Sequence, residues 1–166
     1  MPNEPAVLAV SGVKNSGKTT LIERLIPLLA ERGLRVAVIK HDGHRYTPDT
    51  PGTDSYRYFQ AGACAAVVYD HEKYTLSRRA SVDEKHFMNM LPETDLILLE
   101  GFKASSYPKL EIVRRGVSQE PVCEPASCLA YVSDVDYPFD KPVFRPDDTT
   151  AIAEYICQHL KRNEQP

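Results

Sequence analysis

A glycine-rich stretch near the start of the chain constrains the fold more than any other feature of the sequence. Residues 12–19 match the pattern G-x4-G-K-[S/T], between a short apolar run and a helical pattern. Glycines in such a loop let successive backbone N–H groups turn toward phosphate oxygens, and the N-terminus of the following helix adds partial positive charge. The pattern therefore predicts a strand, a phosphate-binding loop and a helix, in that order.

The side chains of this loop have separate predicted roles. Lys18 should reach the β- and γ-phosphates of a nucleoside triphosphate and neutralise their charge during catalysis, and the Thr19 hydroxyl should bind Mg²⁺. Three alternatives stay open for Lys14, which can contact phosphate, point across a dimer interface toward a second nucleotide, or lie in solvent. The predicted nucleotide-binding residues of the loop are Gly12, Lys14, Asn15, Ser16, Gly17, Lys18, Thr19 and Thr20.

Short apolar runs alternate with helical patterns along the chain, which is typical of a parallel α/β sheet. We expect one domain over residues 1–166, with a single doubly wound, mostly parallel sheet of the P-loop NTPase type. The predicted strands span residues 6–11, 35–40, 64–69, 73–79, 95–99, 110–113 and 128–132. The predicted helices span residues 17–32, 53–60, 82–90 and 149–160, and residues 116–127 form a loop. Pro27 should loosen the first helix, and Gly33 should end it.

An acidic group is predicted beside the phosphate loop. The apolar run 95–99 ends in Glu100 and Gly101, and the carboxyl ends of parallel strands meet at one edge of a sheet. Glu100 can hold Mg²⁺ through water or orient the attacking water, and Gly101 can donate its N–H near the γ-phosphate. The alternative for Glu100 is a structural role, as a helix cap or in an ion pair.

A second polar group follows the second predicted strand, at the same edge of the sheet. We expect Asp42 to lie near Mg²⁺ and the γ-phosphate, which makes it a metal and catalytic candidate with Glu100. His41 and His44 can contact an anionic ligand or a metal. The alternative for all three is a loop in solvent.

Composition excludes several other classes of protein. The formal net charge is −3, which gives no reason to expect a nucleic-acid partner. The apolar runs have only the length of strands and no leader pattern precedes them, so we expect no membrane span and a cytoplasmic location. Cys123 and Cys128 are spaced C-x4-C without a second pair, so we interpret them as ordinary loop and strand residues rather than zinc ligands.

These motifs together resemble the MobB family, the molybdopterin-guanine dinucleotide biosynthesis adapter proteins. The matching segments are residues 12–20, 40–44, 49–55 and 99–103, and their order and spacing are more specific than a phosphate loop alone. From the first segment to the last they span most of the first two-thirds of the chain, and the match is looser beyond Lys109.

The resemblance implies a homodimeric GTP-binding protein with slow GTPase activity and Mg²⁺ as its metal. It also implies two partner enzymes: a guanylyltransferase that joins GMP to molybdopterin, and a molybdenum insertion protein. Molybdopterin or its guanine dinucleotide is a further implied ligand. The residues themselves offer a basic rim of His41, His44, Arg45 and Lys103, which suits an anionic pterin phosphate or is simply a solvated edge.

Guanine selectivity has no familiar signature in this sequence. The N-K-x-D motif of many GTPases is absent, and Ser133 and Asp134 at the end of the last predicted strand are the nearest substitute. The Asp134 carboxylate can accept hydrogen bonds from the N1–H and N2–H₂ groups of guanine, which adenine does not have. The alternative is a Ser-Asp turn without a ligand.

Two other functional classes stay open. A small-molecule kinase would share the phosphate loop, with Arg78 and Arg79 as a lid over the transferred phosphate, although the sequence has no Arg-rich lid helix. A nucleotide-gated scaffold or metal chaperone would also share these residues, but the His-rich tail and the Cys clusters of metal-delivery GTPases are absent. The motifs favour the adapter over both.

Overall fold

The computed structural model describes residues 4–42 and 49–163, and it divides them between two compact units. Of the described residues, 4–41 and 84–163 belong to the larger unit, and 42 and 49–83 belong to the smaller unit. The prediction of one domain over residues 1–166 stays a prediction. No helix within the described ranges has the length and apolar character needed to cross a membrane.

The described residues form eight strands and four α-helices. The seven predicted strands and the four predicted helices appear in the predicted order, and the last of the eight strands was not predicted. The strands are β1 (Ala6–Gly12), β2 (Val36–Lys40), β3 (Ala65–Tyr69), β4 (Tyr74–Arg78), β5 (Leu96–Glu100), β6 (Lys109–Val113), β7 (Cys128–Ser133) and β8 (Val143–Phe144). The helices are α1 (Lys18–Ala30), α2 (Asp54–Gln60), α3 (Glu84–Asn89) and α4 (Thr149–Asn163). A single 3₁₀ turn, Pro125–Ser127, interrupts the predicted loop.

Six strands of the larger unit form one sheet in the order β2-β5-β1-β6-β7-β8, and every neighbouring pair is parallel. All five residues of β5 and all five of β6 are buried, as expected for strands that are covered on both faces. The predicted α/β class with a mostly parallel sheet is confirmed. Because β1 lies between β5 and β6, the segment that follows Gly12 lies near the middle of the carboxyl edge of the sheet.

Side chains that alternate along the strands separate the core into two layers. Leu8 and Val10 of β1 point to one face, where they pack in a cluster with Leu25 of α1 and Ile156 of α4. Ala9 points to the opposite face, in a smaller cluster of sheet residues against which Met88 of α3 packs. Helices therefore cover both faces of the sheet, which is the doubly wound arrangement. Full burial of a leucine stabilises such a core by roughly 1.5–3 kcal/mol.

The end of α1 confirms the prediction made for Gly33, while the loosening expected at Pro27 stays a prediction. Pro27 lies inside the helix, as its position in the sequence indicated. Gly33 has a φ of 85°, and hydrogen bonds from Gly33 N–H to Ala30 O (2.9 Å) and from Leu34 N–H to Leu29 O (3.2 Å) close the helix. These two bonds are the 5→2 and 6→1 bonds of a Schellman motif, which places glycine in the left-handed region.

The smaller unit contains α2 and an antiparallel hairpin of β3 and β4. The Thr53 hydroxyl caps α2 by accepting from Tyr56 N–H, as a threonine before a helix should. The hairpin is a separate two-stranded sheet, so two of the predicted strands do not join the main sheet. The guanidinium of Arg79 donates to the carbonyls of Ala63 and Phe59 and lies 4.0 Å from the centroid of the Phe59 ring. These contacts give Arg79 a structural role within this unit.

Candidate functional site

The backbone of the phosphate loop is shaped by its first glycine. Gly12 ends β1 with a φ of 138°, opposite Ile112 of β6. A Cβ atom at Gly12 would lie 2.6 Å from the Ile112 carbonyl oxygen and 2.9 Å from the Ser16 Oγ. Because the nearer atom belongs to the backbone of a buried strand, it has no room to move. The loop can therefore start only from glycine at this position.

The rest of the loop turns through further left-handed positions. Asn15 has a φ of 63° and Gly17 a φ of 96°, and α1 begins directly after Gly17. No side chain among the described residues caps this helix end. The first N–H groups of a helix have no partner within the helix, so those of α1 are available to an anion at the loop.

Lys18 is folded back over the loop that precedes it. Its ammonium donates to the Val13 carbonyl at 2.7 Å and to the Gly12 carbonyl at 3.3 Å. Partial burial lowers the pKa of Lys18 because it disfavours the charged form, while the nearby carboxylate of Glu100 acts in the opposite direction. The lysine charge thus stands over the cradle of N–H groups, where the phosphates of a nucleotide would replace the two carbonyls as its partners.

The structure brings Thr19 and Glu100 together at the carboxyl edge. The Thr19 hydroxyl donates to Glu100 Oε1 at 3.0 Å, and Lys40 Nζ lies 3.1 Å from the same oxygen. The Glu100 side chain is only 10% exposed. A hydroxyl and a carboxylate in contact beside a phosphate loop are a chemically suitable donor set for Mg²⁺, with phosphate and water oxygens supplying the other ligands. The roles of both residues at a metal stay predictions.

The segment after Glu100 turns sharply at Gly101 and Phe102, which have φ values of 101° and 49°. The Gly101 N–H donates to the Val10 carbonyl at 3.0 Å, so a contact of this group with a γ-phosphate would require that bond to open. Ser11 donates to the Gly101 carbonyl from the other side. His41 stands near this turn, with its ring 6.0 Å from that of Phe102 between centroids.

Two predicted residues are not placed beside the loop by the structure. Asp42 is the first residue of the smaller unit, and its role at the metal stays a prediction. His44 lies outside the described residues, together with Arg45 of the predicted basic rim. Within the described ranges, no group of three or more His, Cys, Asp or Glu side chains could hold a metal ion without other ligands.

A cavity of about 380 Å³ lies on the other side of the loop, toward β6, β7 and β8. Its lining includes Gly17 and Thr20 from the loop and helix, Arg114 after β6 and Asp134 after β7. Asp134 Oδ1 accepts the Arg115 N–H at 2.7 Å, and Oδ2 lies 3.8 Å from Arg114 Nε. Asp134 thus lines a cavity next to the phosphate loop, and its role with guanine stays a prediction.

A larger cavity of about 1430 Å³ lies at the amino ends of the strands, where Arg35 and Asp95 form an ion pair. It contains none of the predicted site residues. Ligands of open α/β sheets bind at the carboxyl edge, so we place the functional site at the smaller cavity and the loop.

Sequence reasoning missed two buried charged residues of β6. Lys109 is fully buried, and its ammonium donates to the carbonyls of Ser105 (2.5 Å), Phe102 and Lys103 (both 3.4 Å). Glu111 accepts the Cys123 N–H at 3.1 Å and holds the chain before β7. Lys109 thus anchors the loop that follows β5, and Glu111 anchors the chain that leads into β7. The sequence signal that could have identified them is the alternation of charged and apolar residues in the strand Lys109–Val113, all five residues of which are buried.

Comparison with known families decides what kind of phosphate-loop protein this is. A family model described as molybdopterin guanine dinucleotide synthesis protein B matches residues 7–134. The chain belongs to the MobB family. Its resemblance to that family, inferred from four short segments, is confirmed, and the match extends through β6 and β7, which those segments did not include.

Individual members of the MobB family align over nearly the whole chain. The molybdopterin-guanine dinucleotide biosynthesis adapter protein of Escherichia coli is 30% identical, with 94% of each chain covered. The adapter protein of Haemophilus influenzae is 32% identical over 94% of this chain and 90% of its own length. The crystal structure of Bacillus subtilis MobB superposes with a TM-score of 0.73 at 30% identity, covering 92% of this chain and 97% of that one.

The fit of Gly12 against β6 generates a prediction. Gly12→Ala should reduce nucleotide affinity more than about tenfold, since the new Cβ cannot share space with the Ile112 carbonyl and strains a positive φ. Gly33→Ala is the matched control, because its φ is also positive but nothing lies within 4 Å of the added Cβ. Calorimetric titration with GTP, after a check of the fold by circular dichroism, measures both. Equal affinities for the two variants would contradict this account of the loop.

Proposed function

We propose that this protein is a GTP-binding adapter that assists the attachment of GMP to molybdopterin. The observation that carries the proposal is the juxtaposition of the glycine-bounded loop, the Lys18 ammonium and the Thr19–Glu100 pair. Such an arrangement suits a nucleoside triphosphate with Mg²⁺. Relatives that align over nearly the whole chain are named adapter proteins of molybdopterin-guanine dinucleotide biosynthesis, which supports this pathway for the chain.

In the proposed mechanism the protein holds GTP more effectively than it hydrolyses it. Lys18 neutralises charge on the β- and γ-phosphates, while Thr19 and an acid, Glu100 or Asp42, bind Mg²⁺. The sequence from Gly101 to Pro108 contains no glutamine that could orient the attacking water. Hydrolysis is therefore slow unless a partner supplies a group, and the bound nucleotide acts chiefly as a signal for partner binding.

The proposed partners are a guanylyltransferase that uses molybdopterin and a molybdenum insertion protein. Molybdopterin and its guanine dinucleotide carry phosphate, and His41 and Lys103 of the larger unit offer positive or hydrogen-bonding groups near the turn at Phe102. We propose this rim as the contact for the pterin phosphate during transfer between partners.

The hairpin of the smaller unit supports the proposal of a homodimer. Alternation along β3 and β4 places Val67 and Tyr69 on the same face as their cross-strand partners Leu76 and Tyr74. All four side chains are exposed, by 44–79%. A contiguous apolar face of this kind marks an interaction surface, and a second copy of the hairpin would offer the same face in a two-fold arrangement.

The first prediction from this proposal concerns Lys18. Lys18→Ala should lower GTP affinity at least about a hundredfold, because it removes the ammonium that stands over the loop, 2.7 Å from the Val13 carbonyl. Calorimetry with Mg²⁺ and GTP measures this, and Lys161→Ala on α4 is the matched control.

In a reconstituted assay with the guanylyltransferase, GTP and molybdopterin, formation of the guanine dinucleotide should rise with wild-type protein and not with Lys18→Ala. Retention of near-normal GTP affinity by Lys18→Ala would rule out the loop assignment.

The second prediction separates metal binding from nucleotide binding. Glu100→Gln keeps the size of the side chain and its contact with Thr19, but loses the charge that attracts Mg²⁺. The enhancement of GTP affinity by Mg²⁺ should fall about tenfold, while affinity in EDTA stays equal or rises. Calorimetry with and without Mg²⁺ measures the difference, and Glu154→Gln on α4 serves as control. An unchanged Mg²⁺ effect would mean that Glu100 only pairs with Lys40.

The third prediction concerns the exposed face of the hairpin. Sedimentation of the wild-type protein should give about twice the 18.6 kDa chain mass, and the double variant Val67→Lys/Leu76→Lys should sediment as a monomer, since two buried ammonium groups per chain would oppose association. Thr75→Lys, on the opposite face of β4, is the matched control and should remain dimeric. A monomeric wild-type protein would contradict the proposed homodimer.

A further inference from the structure

We propose that Arg114 binds the phosphate nearest the nucleoside, and that Asp134 positions Arg114 for this contact. The inference rests on the proposed binding of a nucleotide at the loop, and it adds a residue that the loop motif does not contain. Arg114 follows β6 directly, so it stands at the carboxyl edge beside the last residue of β1.

The position of the Arg114 guanidinium relative to the loop is the first observation. A Cβ built on Gly17 would lie 3.3 Å from Arg114 Nη1, so the guanidinium lies directly against the residue that precedes α1. The backbone of Arg114 is anchored by a turn, in which its N–H donates to Ser118 Oγ and its carbonyl accepts from Val117 and Ser118 N–H. The side chain thus extends toward the loop from a fixed base.

The strand order decides which part of the nucleotide Arg114 would meet. Glu100 and Lys40 stand on β5 and β2, on one side of the loop, where the metal and the γ-phosphate are expected. Arg114 and the cavity stand on the opposite side, beyond β6 and toward β7 and β8. A nucleotide whose terminal phosphate lies beside β5 must therefore extend past Arg114 on its way to the cavity.

The cavity itself has the chemistry of an anion and polar-ligand site. Three arginines line it, Arg24, Arg114 and Arg145, against the two aspartates Asp134 and Asp147. Ser16 also lines it, and the buried Ser16 Oγ has no hydrogen-bond partner among the described residues. A buried hydroxyl without a partner is costly unless a ligand completes it. A guanidinium suits phosphate because it presents several N–H donors in one plane.

Asp134 acts on this site through Arg114. Its Oδ1 is held by the Arg115 N–H at 2.7 Å, which leaves Oδ2 facing Arg114 Nε at 3.8 Å. A carboxylate has about four acceptor positions, so Asp134 can orient the guanidinium and still accept from the edge of a guanine. One aspartate then couples the phosphate contact to the base contact.

The experiment is calorimetric titration of the full-length protein with GTP, GDP and ATP in the presence of Mg²⁺. Arg114→Ala should lower the affinities for GTP and for GDP by about the same factor, on the order of tenfold, because the lost contact is to a phosphate that both nucleotides share. Arg114→Lys should recover part of the loss. Arg35→Ala is the matched control, since it also removes an arginine paired with an aspartate, but at the amino edge of the sheet; it should change affinity less than about twofold.

A double-mutant cycle tests the positioning role of Asp134. Asp134→Asn should weaken the binding of GDP more in the wild-type background than in the Arg114→Ala background, because its effect on phosphate passes through the arginine. The loss that remains in the Arg114→Ala background belongs to the contact with guanine. Thermal unfolding without nucleotide shows whether any variant is destabilised. If Arg114→Ala is destabilised, the nucleotide affinities of Arg114→Lys are compared with those of the wild-type protein instead.

The outcomes separate this inference from the proposed function. Equal affinities for Arg114→Ala and Arg35→Ala would overturn the contact, and a loss confined to GTP would place Arg114 at the γ-phosphate instead. Additive losses in the cycle would overturn the positioning role of Asp134. Absence of nucleotide binding by the wild-type protein would refute the proposed function itself, and this inference with it.

Discussion

The pairing of β1 with a parallel strand on each side is the constraint on which the site depends. Gly12 lies against the Ile112 carbonyl of β6, and the chain leaves the sheet at this residue to form the loop. Only glycine fits there, because any Cβ would collide with that carbonyl. The same pairing places Glu100 of β5 on one side of the loop and Arg114 after β6 on the other. One local arrangement of strands therefore sets both the shape of the loop and the charges that flank it.

Charge is distributed unequally along this edge. On the β5 side the Glu100 Oε1 atom already has Thr19 and Lys40 as partners, so the proposed Mg²⁺ would compete with an ammonium for the same oxygen. On the β6 side the arginines outnumber the aspartates, which favours an anion. Lys18 stands between them with its ammonium held by backbone carbonyls rather than by an acid. Such a site would be preorganised for the proposed phosphate ligand, because its positive groups are in place without one.

The smaller unit has a different physical character. Its hairpin leaves an apolar face exposed, and none of the residues of α2 is buried. Two strands alone are marginally stable in water, so such a hairpin gains from covering this face. The larger unit, by contrast, buries its sheet on both sides with its own helices. The proposed phosphate binding and the proposed self-association thus fall to different parts of the chain.

The sequence alone determined the loop, the order of strands and helices, and the acid at the end of β5, because each depends on local patterns: glycine spacing, apolar periodicity and a strand-terminal carboxylate. It also determined the family, through motifs that lie close together in the chain. Only the tertiary structure decided that β3 and β4 leave the main sheet, that β8 joins it, that Lys109 and Glu111 are buried, and that Arg114 lies against the loop. Their significance depends on which strands are neighbours and which faces are covered. Those are long-range contacts, and no window of sequence contains both partners.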